Sequence, residues 1–145
     1  MEWHDGIRYL LLTGATVLIA GVIGWIQTTW PSRRRRWIFV PRPCWLVRWL
    51  CGDIGPGGTL WQGGVLMPGV FWWGLTSGLI PASPFLHGGL AAWGLLLAVA
   101  LVNAGRKADL RARARWLLSV LTAAVLVQAC LQGEKMLILL TALPA

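Results

Sequence analysis

Three long stretches without a charged residue constrain the fold of this chain more than any other feature. They run from Tyr9 to Ser32, from Ile54 to Gly105 over 52 residues, and from Trp116 to Gly133 over 18 residues. A helix needs about 20 mostly apolar residues to cross the hydrocarbon core of a bilayer. The first and third stretches each fit one span, and the second fits two spans joined by a turn. The sequence therefore predicts an integral membrane protein.

The overall composition agrees with this prediction. Only 12% of the 145 residues are charged and 57% are hydrophobic, whereas an ordinary soluble domain has about 25% charged residues. A water-soluble fold of this size has too much surface to cover with so few charges. The length suits a single domain.

The predicted fold is all-α: a polytopic membrane protein with four transmembrane helices in one domain, 1–145. The 52-residue stretch is divided at Pro81-Ala82-Ser83-Pro84, because two close prolines end a helix. The predicted spans cover about 9–30, 59–80, 85–104 and 116–133. Beyond the last span, the apolar run from Met136 to Ala145 either continues the helix or lies in the membrane interface.

The first loop, 31–58, carries a block of arginines and then a short helical segment. Pro41 and Pro43 exclude a continuous helix, while Cys44 to Cys51 has room for about two turns. Trp45, Arg48 and Trp49 then share one face, because they are three and four residues apart. Arginine with tryptophan on a short helix is typical of a segment lying in the headgroup layer. A re-entrant segment that dips into the membrane is the alternative.

The distribution of basic residues predicts the orientation. Loops 31–58 and 105–115 hold eleven of the thirteen bases, whereas the other side holds only Arg8 and Lys135. Loops rich in lysine and arginine stay in the cytoplasm. We therefore predict a multi-pass protein of a cell membrane, specifically a bacterial inner membrane, with both termini on the outer, periplasmic side.

These basic and aromatic loop residues are the predicted contacts with lipid or a protein partner. Each base near an anionic leaflet contributes about 1 kcal/mol of attraction. Nucleic acid is disfavoured as a partner, because the bases stand beside apolar spans and cover no separate surface. The predicted contact residues are Arg33, Arg34, Arg35, Arg36, Arg42, Arg48, Trp45, Trp49, Arg111, Arg113 and Arg115.

Small residues in the spans predict close helix packing. Thr16, Ala20 and Gly24 recur at a spacing of four on the first helix, and Gly64 and Pro68 lie in the second. Helices in lipid associate mainly by close packing at small residues. We expect these five positions to face other helices, from this chain, from other copies or from other proteins.

Residues that could carry chemistry are few. His4 and His87 lie at different helix ends, and Cys44, Cys51 and Cys130 do not make a disulfide framework. No metal-binding or nucleophile motif is present. We therefore predict no cofactor, metal or catalytic residue. We expect Asp53 to be a turn residue near Arg48, and Glu134 to pair locally or with solvent.

The sequence favours a small non-enzymatic subunit or accessory component of a membrane protein complex, because no part of the chain outside the spans is large enough to act alone. The alternative is an oligomeric transporter or channel, in which the proline-containing second helix lines a path. A third hypothesis is a lipid-modifying enzyme that uses Asp53 with Arg42 and Arg48 at the cytoplasmic interface.

Overall fold

A computed structural model of the chain describes residues 3–29, 44–78 and 83–142, and within these ranges every regular element is a helix. The elements in order are α1 (Trp3–Thr29), α2 (Trp45–Leu50), α3 (Pro56–Leu60), a π-helix (Trp61–Leu66), α4 (Met67–Thr76), α5 (Pro84–Lys107) and α6 (Ala112–Thr141). The prediction of an all-α fold is confirmed for the described residues.

Three of these helices are long and apolar enough to cross a membrane. They are α1 over Asp5–Thr29, α5 over Pro84–Lys107 and α6 over Ala112–Thr141. They correspond to the predicted first, third and fourth spans, and they are compatible with a multi-pass membrane protein. The predicted ends Trp30 and Ile80 lie outside the described residues.

The last helix is longer than predicted. α6 continues through Gln132, Glu134 and Lys135 to Thr141 and contains 30 residues. Glutamine, glutamate and lysine are good helix formers, so a polar interruption of the apolar pattern does not end the helix. Of the two expectations for the segment after Met136, continuation of the helix is the one observed as far as Thr141.

The predicted second span is a run of three helical segments. α3 begins with Pro56 at its first turn, where a missing N–H has no consequence. The π-helix follows at Trp61, and α4 resumes the α-helical conformation at Met67 and ends at Thr76. The backbone is helical throughout, but hydrogen bonding changes from one segment to the next.

Helix α6 packs against both α1 and α5, and it is antiparallel to each. Gly105 and Gly94 of α5 lie against Leu118 and Ala129 of α6, so the two helices run in opposite directions. One apolar cluster contains the buried Trp49, Leu97, Ala100, Leu101 and Leu118, and a second contains Ala20, Ile23 and Ala123.

Candidate functional site

The segment that the sequence predicts as a lipid or partner contact folds back against α5. The Asn103 side-chain amide donates a hydrogen bond to the Leu50 carbonyl at 2.8 Å. Gly52 follows with a φ of +74°, and a Cβ there would overlap the backbone of Asn103 and Ala104. The chain can therefore turn this close to α5 only because residue 52 has no side chain.

An ion pair closes the same turn. The Lys107 ammonium of α5 binds the Asp53 carboxylate, and both side chains are less than one third exposed. The backbone N–H of Asp53 donates to the Arg48 carbonyl at 3.0 Å. The sequence placed Asp53 in a turn near Arg48, and it missed Lys107, which is 54 positions away in the sequence.

A stack of three tryptophans joins α2 to α5. The ring centroids of Trp45 and Trp49 are 6.1 Å apart, and those of Trp49 and Trp93 are 5.1 Å apart with planes inclined by 16°. Trp49 is fully buried, whereas Trp45 is 48% exposed. The prediction that Trp49 contacts lipid or a partner is therefore wrong for this side chain. The spacing of Trp49 puts it on the same helix face as Trp45, but Trp93 and Leu97 of α5 cover the Trp49 ring.

Trp93 also contacts the helical run from Pro56 to Thr76. Its indole N–H donates to the Gly63 carbonyl at 2.9 Å. Pro68, five residues after Gly63, has no N–H and therefore cannot donate to this carbonyl. The Trp93 indole thus gives the Gly63 carbonyl a hydrogen-bond donor from a neighbouring helix.

Gly63 provides the space for this arrangement. It is buried, and a Cβ there would overlap the Trp49 ring and would lie 2.7 Å from the Leu97 side chain. Trp93 was not among the residues for which the sequence made a prediction. The available signal was a tryptophan well inside a predicted span, together with a glycine five residues before a proline.

The remaining predicted contact residues differ in exposure. Arg48, Arg111 and Arg113 are exposed. Arg115 is half-buried and donates to the Leu110 carbonyl at 3.1 Å, which holds it against the linker between α5 and α6. The predicted contacts Arg33, Arg34, Arg35, Arg36 and Arg42 lie outside the described residues.

The predicted packing residues of α1 lie at or near its contact with α6. Ala20 is buried beside Ala123, and a Cβ on Gly24 would lie 3.5 Å from the Ser119 hydroxyl. Thr16 is half-buried and donates to the Leu12 carbonyl of its own helix. In the second predicted span, Gly64 lies near the Leu60 and Leu97 side chains, and Pro68 is half-buried.

A polar contact joins three helices at the end of α1. Gln27 is 3% exposed and its amide oxygen lies 3.3 Å from the Ser119 hydroxyl of α6. Its amide nitrogen packs against Gly105 of α5, where a Cβ would overlap it. Polar side chains inside a membrane protein hold helices together in this way.

At the opposite end of the α1–α6 contact, charged side chains border an open cleft. Arg8 pairs with Glu134 at 3.1 Å, and both side chains are more than half exposed. Glu134 therefore binds a base on another helix, where the sequence predicted a local or solvent partner. Nearby, the His87 ring lies 2.6 Å from the Gln132 amide oxygen, which joins α5 to α6.

Among the described residues, no group of three or more histidine, cysteine or acidic side chains is close enough to hold a metal ion. The cysteines at positions 44, 51 and 130 are free thiols. What the geometry provides is helix–helix contact, a buried aromatic stack and a charged cleft.

Comparisons of the chain with protein-family models, with curated proteins and with solved structures found no match.

Proposed function

We propose that this chain is a four-span protein of a bacterial inner membrane that acts as a non-enzymatic subunit or accessory component of a membrane complex. In addition to α1, α5 and α6, the proposed span is the helical run Pro56–Thr76, second in chain order, whose segments contain 5, 6 and 10 residues. At 1.5 Å per residue the run is about 30 Å long, which matches the thickness of the hydrocarbon core.

The observation that carries the proposal is the contrast between two sets of glycines. At Gly63, Gly94 and Gly105 a Cβ would overlap a neighbouring helix or its side chains, whereas Gly14, Gly21 and Gly69 have no neighbour within 4 Å of a Cβ. Glycine weakens a helix by about 1 kcal/mol relative to alanine. Open glycines on membrane helices favour close approach by helices of another chain.

Large apolar side chains accompany the open glycines. Val17 and Leu18 lie between Gly14 and Gly21 on α1, and all four residues are exposed. On the helical run Pro56–Thr76, Val65 and Trp73 each lie four residues from Gly69, and both are exposed as well. Each face thus combines a groove at glycine with ridges of larger side chains, which is the surface that ridges-into-grooves packing requires.

Two polar residues within the helices, Gln27 and Asn103, argue against the alternative of a transporter or channel. Gln27 is buried in the contact with Ser119, and Asn103 is bound to the Leu50 carbonyl. Both therefore stabilise contacts within the chain. Lipid contact remains part of the proposal, through the exposed bases Arg48, Arg111 and Arg113 beside the anionic leaflet.

The test is gentle purification of the full chain in detergent, followed by native mass spectrometry. We expect a different membrane protein at a fixed ratio, and we expect Gly14→Leu with Gly21→Leu to remove it. Ala124→Leu, which also enlarges a small residue at an exposed helix position, here on α6, is the control and should retain the partner. A homo-oligomer would support the channel alternative, and a monomer would contradict both hypotheses.

Orientation is tested separately. A variant without the native cysteines receives one cysteine at Arg34, in the predicted cytoplasmic loop. We expect labelling in intact cells by a membrane-permeant maleimide and none by an impermeant one. Labelling by the impermeant reagent would reverse the orientation without affecting the subunit proposal.

A further inference from the structure

The charged end of the α1–α6 contact contains a cleft of about 380 Å³. This volume lies within the range of about 300–1,000 Å³ that is typical of small-molecule sites. The cleft is lined by Asp5, Arg8, Tyr9 and Leu12 of α1 and by Gln128, Leu131, Glu134, Lys135 and Ile138 of α6. Charged and apolar side chains thus border the same cleft.

The position of the cleft across the membrane follows from two polar contacts between α1 and α6. Gln27 contacts Ser119 near one end, and Arg8 pairs with Glu134 near the other. Arg8 and Gln27 are 19 residues apart, which is about 28 Å along a helix. Because this distance is close to the thickness of the hydrocarbon core, a bundle that has Gln27 at one membrane interface has the Arg8–Glu134 pair at the other, at the level of the lipid headgroups. Leu12 and Leu131 then lie on the hydrocarbon side of it.

The charges of the cleft balance. Two acids, Asp5 and Glu134, oppose two bases, Arg8 and Lys135, so the cleft as a whole favours neither an anion nor a cation. Within the described part of the chain, Asp5 and Lys135 have no charged partner. The Arg8–Glu134 ion pair is exposed and therefore weak. Arg8 and Glu134 can thus each bind a charged group of a ligand in place of one another.

We propose that this cleft binds the headgroup of one zwitterionic phospholipid of the phosphoethanolamine class. Asp5 and Glu134 accept hydrogen bonds from the ammonium group, and Arg8 and Lys135 donate to the phosphate. Leu12 and Leu131 contact the first carbons of the acyl chains. A primary ammonium fits better than a quaternary one, because carboxylates need N–H donors and the cleft has one aromatic ring, Tyr9, where a quaternary cation needs several.

The test uses the full chain in nanodiscs that contain equal amounts of phosphatidylethanolamine, phosphatidylcholine and phosphatidylglycerol. Lipids that remain bound after release from the disc are counted by native mass spectrometry. We expect one phosphatidylethanolamine, retained about tenfold over either other lipid, the ratio that one charge-assisted hydrogen bond provides. Equal retention of the three lipids would overturn the proposal, as would preference for phosphatidylglycerol.

Variants assign the selectivity to the cleft. Asp5→Asn with Glu134→Gln should abolish the preference for the ammonium headgroup, whereas Asp109→Asn, which removes an exposed acid at the other end of the bundle, should keep it. If the double variant does not fold, Asp5→Asn alone, at an exposed position, serves instead and should reduce the preference. A preference unchanged in a folded variant would overturn the proposal.

Added glycerophosphoethanolamine should compete only weakly with phosphatidylethanolamine for the cleft, since it lacks the acyl chains. Competition as strong as that of the intact lipid would overturn the role of Leu12 and Leu131.

Discussion

The indole N–H of Trp93 donates to the carbonyl of Gly63 at 2.9 Å, across the contact between α5 and the π-helix. Pro68, five residues after Gly63, has no N–H and cannot donate to that carbonyl. We therefore expect the proline and the tryptophan to be coupled, because a backbone N–H at position 68 would offer a second donor to the carbonyl that Trp93 binds.

Trp93→Phe should lower the free energy of unfolding by about 0.5–1.5 kcal/mol through loss of the indole hydrogen bond to the Gly63 carbonyl. In a Pro68→Ala background the backbone regains an N–H that can serve this carbonyl, so the same substitution should cost less. Unfolding followed by circular dichroism in mixed micelles measures both values. Trp116→Phe, at a position 69% exposed, controls for the loss of an indole. Equal costs in both backgrounds would contradict the coupling.

Gly63→Ala should destabilise the fold by about 1–3 kcal/mol, the usual cost of overpacking. The added methyl group overlaps the Trp49 ring and lies 2.7 Å from the Leu97 side chain. Gly69→Ala is the matched control, since it lies in the same helical run with no neighbour within 4 Å, and it should leave the stability of the isolated chain unchanged or slightly raised. The midpoint of thermal unfolding in detergent distinguishes the two. A neutral Gly63→Ala would show that α2 does not pack as described.

Gly105→Ala should force Gln27 out of the three-helix contact and cost about 1–3 kcal/mol. Shortening the partner by Gln27→Ala should recover part of that loss, because the methyl group then occupies vacated space. The same Gln27→Ala should not rescue Gly94→Ala, whose methyl group would meet Ala129 at 2.8 Å. Double-mutant cycles on the free energy of unfolding test this, and rescue of both glycine variants alike would contradict it.

Gly52→Ala and Gly55→Ala separate backbone strain from steric overlap. Both glycines have a positive φ, of +74° and +88°, but only Gly52 lies against the backbone of α5. Gly55→Ala should cost about 1–3 kcal/mol through backbone strain alone, because φ +88° with ψ 162° is a conformation that essentially only glycine adopts. Gly52→Ala should cost clearly more, since backbone atoms of Asn103 and Ala104 cannot rotate away. Similar unfolding midpoints for the two variants would mean that the turn does not contact α5.

The sequence by itself determined that the described residues are helical, and it located the three helices that have the length and apolarity of membrane spans. It could do so because span length and the cost of charges in hydrocarbon are local properties, readable from the stretches around Val17, Leu95 and Leu121. It also indicated the small-residue face of α1 that includes Ala20 and Gly24.

Only the tertiary structure decided which partners the individual side chains find. The burial of Trp49, the pairing of Asp53 with Lys107 and the pairing of Arg8 with Glu134 depend on residues that are 44, 54 and 126 positions apart. No local pattern encodes such separations, because they follow from how three helices pack on one another. For the same reason, the sequence alone does not indicate the cleft at Asp5 and Lys135. Asp5 lies on α1 and Lys135 on α6, and only antiparallel packing of these two helices brings both charges to the same cleft.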